Sequence, residues 1–197
     1  MKLLDKIKNS KIYGIIRNDN PDYAIEIAHA YIEGGIKLLE INAPSRAIQE
    51  ISKTDDVIVA QGGIITTSQA HAALKNGAKI ISSPIFQTNL VRFSSCYKTF
   101  LIPSVTTPNE AYSAWAARIP LTKIYPVSEM GGVEYIRDLI KPMPFLNLLP
   151  CGFVKLDEVE KYLNLGVCAV GLGRELYAKN DYKEIVKTAR EVIKMVR

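Results

Sequence analysis

Two charged side chains stand where a buried sheet should carry none. Lys123 lies in Leu121-Thr122-Lys123-Ile124-Tyr125-Pro126, a run of branched and aromatic residues that reads as a strand stopped by Pro126. Glu40 lies between Leu38-Leu39 and Ile41, in a second such run. Both residue types are costly to desolvate, so a buried strand holds one only with a partner or a task. A desolvated lysine has a depressed pKa and is a carbonyl nucleophile able to form a Schiff base. A neighbouring glutamate suits the proton shuttling that such chemistry needs, and apolar flanks are expected to hold its carboxyl up toward neutrality. Two plainer readings stand beside this one. Lys123 could face outward as an ordinary surface lysine, or the pair could be a salt bridge that merely fills an interior.

Other chemistry is poorly supplied. His29 and His71 both sit in alanine-rich helical patterns, and Cys96, Cys151 and Cys168 lack metal-ligand spacing, so no metal site is expected. Cys151 reads as a packed turn residue and the three thiols as reduced, which fits a cytoplasmic protein. No apolar run approaches the ~20 residues of a membrane span, and the charged N-terminus has no apolar core of a signal peptide. The net charge of +5 comes from scattered residues with no basic tract, so nucleic-acid binding is not expected. Small anionic substrates account for such a bias equally well.

The elements that must position Lys123 and Glu40 alternate eight times along the chain. Apolar strand patterns are expected over 11–17, 38–42, 57–61, 79–83, 100–105, around Lys123, 146–150 and 167–170. Helical patterns follow them at 22–33, 44–52, 67–76, 88–97, 108 to about 118, 133–140, 156–164 and 181–196. Near-continuous apolar strands separated by helices imply a parallel sheet covered by helices. Eight strands close a barrel, so the expected fold class is α/β, a single-domain (β/α)8 TIM barrel over residues 1–197. An open doubly wound sheet is the competing architecture, but it wants a glycine fingerprint after the first strand, and Arg17-Asn18-Asp19 offers none. In a barrel the polar residues near the carboxyl ends of the strands form the site. Those are Arg17, Glu40, Asn42, Gln61, Lys123, Cys151 and Arg174. Strand period two turns Glu40 opposite to Leu39 and Ile41, and Lys123, four strands away, faces it across the lumen.

The order of motifs resembles the 2-keto-3-deoxy-6-phosphogluconate (KDPG) / 4-hydroxy-2-oxoglutarate (KHG) aldolase family. The resemblance runs nearly end to end. It is carried by Gly14-Ile15-Ile16-Arg17, Glu33-Gly34-Gly35-Ile36, Leu39-Glu40-Ile41, Ile81-Ser82-Ser83-Pro84 and Ile102-Pro103-Ser104-Val105-Thr106-Thr107-Pro108. Lys123-Ile124-Tyr125-Pro126 with Gly131-Gly132, then Pro150-Cys151-Gly152 and Ala169-Val170-Gly171-Leu172-Gly173, complete it. It implies a metal-independent, cofactor-free class I aldolase that cleaves a 2-keto-4-hydroxy acid to pyruvate plus glyceraldehyde 3-phosphate or glyoxylate, in a homotrimer. In that resemblance Lys123 is the Schiff-base lysine and Glu40 the general acid/base. Arg17 is a candidate for holding the substrate carboxylate or steering Glu40. Gly152, with Gly171 and Gly173, matches the phosphate-binding turns, where backbone N–H groups suit an anion. Gly62, Gly63, Pro84, Pro103 and Thr106 complete the implied substrate contacts.

Departures cluster around the expected clamp. Cys151-Gly152-Phe153 replaces Thr-Gly-Gly, so Phe153 carries a Cβ where the family presents bare backbone. Arg174 stands where a small hydroxyl residue is usual and is expected to supply a charge-assisted anion contact. Gly62-Gly63 replaces Gly-Thr, and Pro44 replaces an arginine found in some members. Two other classes stay open on the residues alone. One is a sugar-phosphate isomerase or synthase on a similar barrel, with Lys123 only binding an anion. The other is a non-catalytic metabolite-binding barrel.

Overall fold

Apolar runs of four to six residues can be buried on both faces only in a parallel sheet sheathed by helices. The computed structural model, which describes residues 2–196, is such a sheet closed into a barrel. Its strands are β1 (Ile12–Arg17), β2 (Leu38–Asn42), β3 (Ile58–Gln61), β4 (Ile80–Ser83), β5 (Phe100–Val105), β6 (Thr122–Ile124), β7 (Leu148–Pro150) and β8 (Val170–Leu172). Neighbours pair in parallel in chain order from β7 down to β1, and β1 pairs β8. The ring closes between β7 and β8 through an isolated bridge, Cys151 to Gly171, and a Cys168 N–H to Leu148 C=O hydrogen bond of 2.9 Å. The (β/α)8 barrel expected from the alternation is therefore the observed fold.

The helices start where local chemistry starts them. α1 (Leu3–Ser10) precedes the barrel; α2 (Pro21–Glu33) begins with Asn20 accepting the N–H groups of Asp22 and Tyr23, and Pro21 in its first turn. After α3 (Ser45–Ile51), α4 (Thr67–Lys75) opens on a Thr66/Gln69 capping box. After α5 (Thr88–Tyr97), α6 (Pro108–Ala116) opens on a Thr107/Glu110 box. α7 (Gly132–Ile140), α8 (Val159–Asn164) and a one-turn α9 (Arg174–Tyr177) follow. α10 (Tyr182–Met195) closes the chain, capped by the Asp181 side chain on the Glu184 N–H.

Three differences from the sequence reading have physical causes. α1 went unread because its eight residues carry charges throughout; its apolar side, Leu3, Leu4 and Ile7, packs into the barrel's lower end. The expected helix at 156–164 begins as a 3₁₀ turn over Leu156–Glu158. β8 begins at Val170 rather than Val167, because pairing of Ile12, Tyr13 and Gly14 with Val170, Gly171 and Leu172 sets its register. Gly171 is thereby a strand residue, not part of a turn.

Period two sorts the strands into two cores. Tyr13, Leu38, Ala60, Ile80, Ile102, Leu121 and Leu149 point inward and fill the lumen, above the α1 plug. Ile16, Leu39, Ile41, Val59, Ile81, Leu101 and Val105 point outward against the helices. No helix among the described residues is long and apolar enough to cross a membrane.

Candidate active site

Glu40 follows Leu38 by two positions in β2 and so shares its inward face; Lys123 follows Leu121 in the same way. The barrel brings the two together, 4% and 5% exposed, with Lys123 Nζ 2.5 Å from Glu40 Oε2. Ser82, two residues beyond Ile80 on β4, accepts a second hydrogen bond from Lys123 Nζ at 2.8 Å. The Asn42 Nδ2 donates to the other Glu40 oxygen at 3.1 Å. Each oxygen of the buried carboxylate thus has a donor, the condition for a buried charge to persist. The outward reading of Lys123 is excluded by this placement.

Burial alone would raise the Glu40 carboxyl, as the apolar flanks led us to expect. The Lys123 charge, with hydrogen bonds from Lys123, Ser82 and Asn42, outweighs it, and the group is held below the usual carboxylate range. Position between apolar neighbours therefore does not make Glu40 a near-neutral acid in the resting protein. Cys151 lies in the same interior, fully buried, and its thiol is pushed up to about 12 by burial, with Lys123 opposing and Glu40 adding to the shift. It is a packed thiol, not a nucleophile.

Two members of this cluster escaped the candidate list. Ser82 lies in Ile81-Ser82-Ser83-Pro84, where nothing local marks it as a partner of Lys123. Tyr13, an ordinary strand aromatic by sequence, places its ring 5.5 Å from Lys123 Nζ. Only the inward parity of β1 and β4 in a closed barrel would have identified them. Among the described residues, no group of three or more His, Cys, Asp or Glu side chains is arranged to hold a metal ion.

The expected substrate contacts divide into two sets. Arg17, Gly152, Phe153, Gly171, Gly173 and Arg174 line one cavity of about 190 Å³ at the barrel mouth, together with Ile15 and Tyr125. Neither Arg17 nor Arg174 has an ion pair among the described residues, so Glu40 is steered by Asn42 and Lys123 rather than by Arg17. Gly171 has no room for a side chain: a Cβ there would stand 2.1 Å from Cys151 Sγ. Gly152 adopts φ +97°, and a Cβ on it would come within 2.8 Å of Pro126 Cα. The turn after β6, which includes the cis Tyr125–Pro126 peptide, packs there and is tied down by Val127 N–H to Cys151 C=O at 2.8 Å.

Gly62, Gly63, Pro84, Pro103 and Thr106 do not line that cavity. Gly62 instead leaves space for the Asn42 side chain, since a Cβ would meet Asn42 Oδ1 at 2.3 Å. Gly63 turns the chain with φ +74°, and Pro84 is exposed at the rim beyond β4. Thr106 spends its hydroxyl on the Tyr125 carbonyl, 3.1 Å away. Pro103 is buried on the parity of Leu101 and Val105, which face the helices, so its place as a substrate contact is corrected. Gln61 shares the parity of outward-facing Val59 and is likewise turned from the lumen.

Comparison with known proteins bears on this geometry. A model of the family described as "KDPG and KHG aldolase" matches residues 3–188. The chain is 25% identical to a 2-dehydro-3-deoxy-phosphogluconate aldolase of Haemophilus influenzae, over 100% of this chain and 97% of that protein. It is 26% identical to the 2-dehydro-3-deoxy-6-phosphogalactonate aldolase of Escherichia coli, over 94% and 93% respectively. The fold is shared with the KDPG aldolase of Legionella pneumophila, solved with pyruvate captured as a covalent carbinolamine intermediate. That structure has a TM-score of 0.87 and 23% identity, covering 98% of each chain.

Proposed function

The chain belongs to the KDPG and KHG aldolase family, and we propose that it is a class I aldolase whose nucleophile is Lys123 and whose acid/base is Glu40. It is a carbon–carbon lyase that cleaves a 2-keto-4-hydroxy acid to pyruvate plus an aldehyde. The observation that carries the reading is the buried Lys123–Glu40 contact of 2.5 Å, facing the lumen of an eight-stranded barrel. The pyruvate carbinolamine in the Legionella relative is the species that such a lysine would form.

The proton inventory of the pair suits the cycle. A proton passes from Lys123 to Glu40 over the short contact, leaving a neutral amine that attacks the C2 ketone. The carbinolamine hydroxyl then takes that proton from Glu40 and leaves as water, giving an iminium ion opposite a carboxylate. Glu40 next accepts the C4 hydroxyl proton while the C3–C4 bond breaks and its electrons enter the enamine. The aldehyde departs, Glu40 returns the proton to C3, and water hydrolyses the iminium to pyruvate and free lysine. One carboxylate thus suffices for every transfer.

Arg17 and Arg174 at the mouth suit the anionic groups of the substrate, and the cavity between them accommodates the tail beyond C4. That tail is a phosphate in KDPG and a carboxylate in KHG. The chain reads as one domain over its whole length, acting in the cytoplasm as a homotrimer on a small 2-keto acid, without nucleic acid, membrane or cofactor. Light scattering behind a sizing column tests the trimer. The function itself is tested by borohydride reduction in the presence of pyruvate, followed by intact mass and peptide mapping. One reduced pyruvate on Lys123 is the expected result. A folded protein that takes up no pyruvate, or takes it up on another lysine, overturns the reading.

A further inference from the structure

The Tyr13 hydroxyl is buried with no hydrogen-bond partner, beside a cluster in which the other polar atoms are paired. A buried unpaired hydroxyl costs about 1–3 kcal/mol, and phenylalanine would fill the same volume without that cost. Glu40 and Ser82 lie close enough to act on that hydroxyl, but neither is placed to complete a hydrogen bond with it, and the ring lies 5.5 Å from the Lys123 ammonium. The orphan hydroxyl is thus placed beside the one network whose donor count must change during the reaction.

That change follows from the chemistry, and the argument rests on the Schiff-base reading of Lys123. In the resting protein Lys123 Nζ donates to both Glu40 Oε2 and Ser82 Oγ. An iminium nitrogen carries a single hydrogen, so at least one of these contacts is lost when the imine forms. A carboxylate deprived of a donor in a dry interior is penalised more than a hydroxyl. Asn42 holds only the other oxygen, Oε1.

We propose that Tyr13 is a positioning residue for the imine state: its O–H, already close to Glu40, turns into a full hydrogen bond with Oε2 as the lysine hydrogen is withdrawn. No bond other than hydrogen bonds is made or broken in this step, and the phenol keeps its proton. Burial first, then the Glu40 charge, raise the phenol well above its ordinary pKa, so it remains a donor throughout. The resting orphan is then the spare donor of the next state.

The test compares wild type with Tyr13→Phe by borohydride trapping over a range of pyruvate concentrations, alongside thermal melting. The variant should melt at the same temperature or higher, since it discards an unpaired hydroxyl. The pyruvate concentration for half-maximal trapping should rise about tenfold or more, the equivalent of one hydrogen bond to a charged group. Equal trapping by the variant overturns the proposal, as does a lowered melting temperature with unchanged trapping. In a Ser82→Ala background the same loss is expected; its disappearance would make Ser82 the partner and overturn the assignment to Glu40. A wild type that traps no pyruvate overturns the aldolase reading and this inference with it, whereas trapping by wild type and variant alike sinks the inference alone.

Discussion

The two halves of the barrel mouth are built on opposite plans. On β2, β4 and β6 the polar side chains are hydrogen-bonded, Asn42 to Glu40 and Lys123 to both Glu40 and Ser82, and all but the half-buried Asn42 are dry. At the seam of β7 and β8 the ladder shrinks to an isolated bridge, the backbone turns through Gly152 and Phe153 at positive φ, and two arginines stand without ion pairs among the described residues. The first half is suited to bond-making, where fixed dipoles and excluded water lower the barrier. The second is suited to admitting and holding a charged tail.

Lys123→Met tests the dry half with the largest expected effect. Imine trapping and turnover should both vanish. The substitution leaves Glu40 buried without its cation, a loss of about 3–5 kcal/mol near neutral pH. Its pH dependence should also invert. In wild type the folded pKa of Glu40 lies below the unfolded one, so its contribution is present above the unfolded pKa and is lost as pH falls through the folded one. Without Lys123, burial is opposed only by the hydrogen bonds from Ser82 and Asn42, and as the largest influence it raises the carboxyl. The variant should then be most stable in acid and weaken as pH rises from the ordinary carboxylate range toward neutrality. Urea titrations across that range decide the sign. Glu40→Gln should behave differently: the nucleophile remains, so the imine still forms, but slowly, with water relaying the protons that Glu40 carried, and turnover falls about 10²–10⁴-fold. A variant at Lys123 that retains turnover would end the comparison, because the dry half would then be scaffolding.

The same division governed what could be read from sequence. A lysine and a glutamate inside apolar strands announce themselves, because few other reasons put charges there. Tyr13 and Ser82 do not: each is unremarkable in a strand, and only the inward parity of a closed barrel brings them to Lys123. The direction of the Glu40 shift is opposite to the sequence expectation for a related reason, since flanking Leu39 and Ile41 point the other way and the partner that decides it lies four strands off. At the seam the apolar run Val167-Cys168-Ala169-Val170 looks like a strand, but the pairing with β1 starts only at Val170. Long-range register, not local pattern, set each of these.

At the open half the expected effects are smaller. Arg174→Ala removes an exposed cation from the first turn of α9, and stability should change by no more than about 0.5 kcal/mol. KM for a substrate with an anionic tail should rise about tenfold, the equivalent of one charge-assisted contact, with kcat little altered. Half-maximal trapping by pyruvate, which has no such tail, should not move. A fall in kcat instead would show that the rim reaches the reacting atoms.

Phe153→Gly sharpens the comparison most finely. Phe153 sits at φ +57°, a conformation that costs a side-chain-bearing residue about 1–2 kcal/mol, and it is 62% exposed, so its ring contributes little burial. Glycine relieves the strain but loses about 0.5–1 kcal/mol in chain entropy, so the melting temperature should barely shift. The Ser128 hydroxyl that holds the turn donates to the Phe153 carbonyl at 2.9 Å, and glycine keeps that carbonyl. What changes is access to the backbone between Gly152 and Val154. If the seam is where the tail binds, KM for a phosphorylated substrate should fall a few-fold on the scale of one backbone hydrogen bond, about 0.5–1.5 kcal/mol. Pyruvate trapping should stay constant. Were trapping to improve in step with KM, the rim and the buried pair would be one coupled unit, and the division between dry chemistry and open binding would fail.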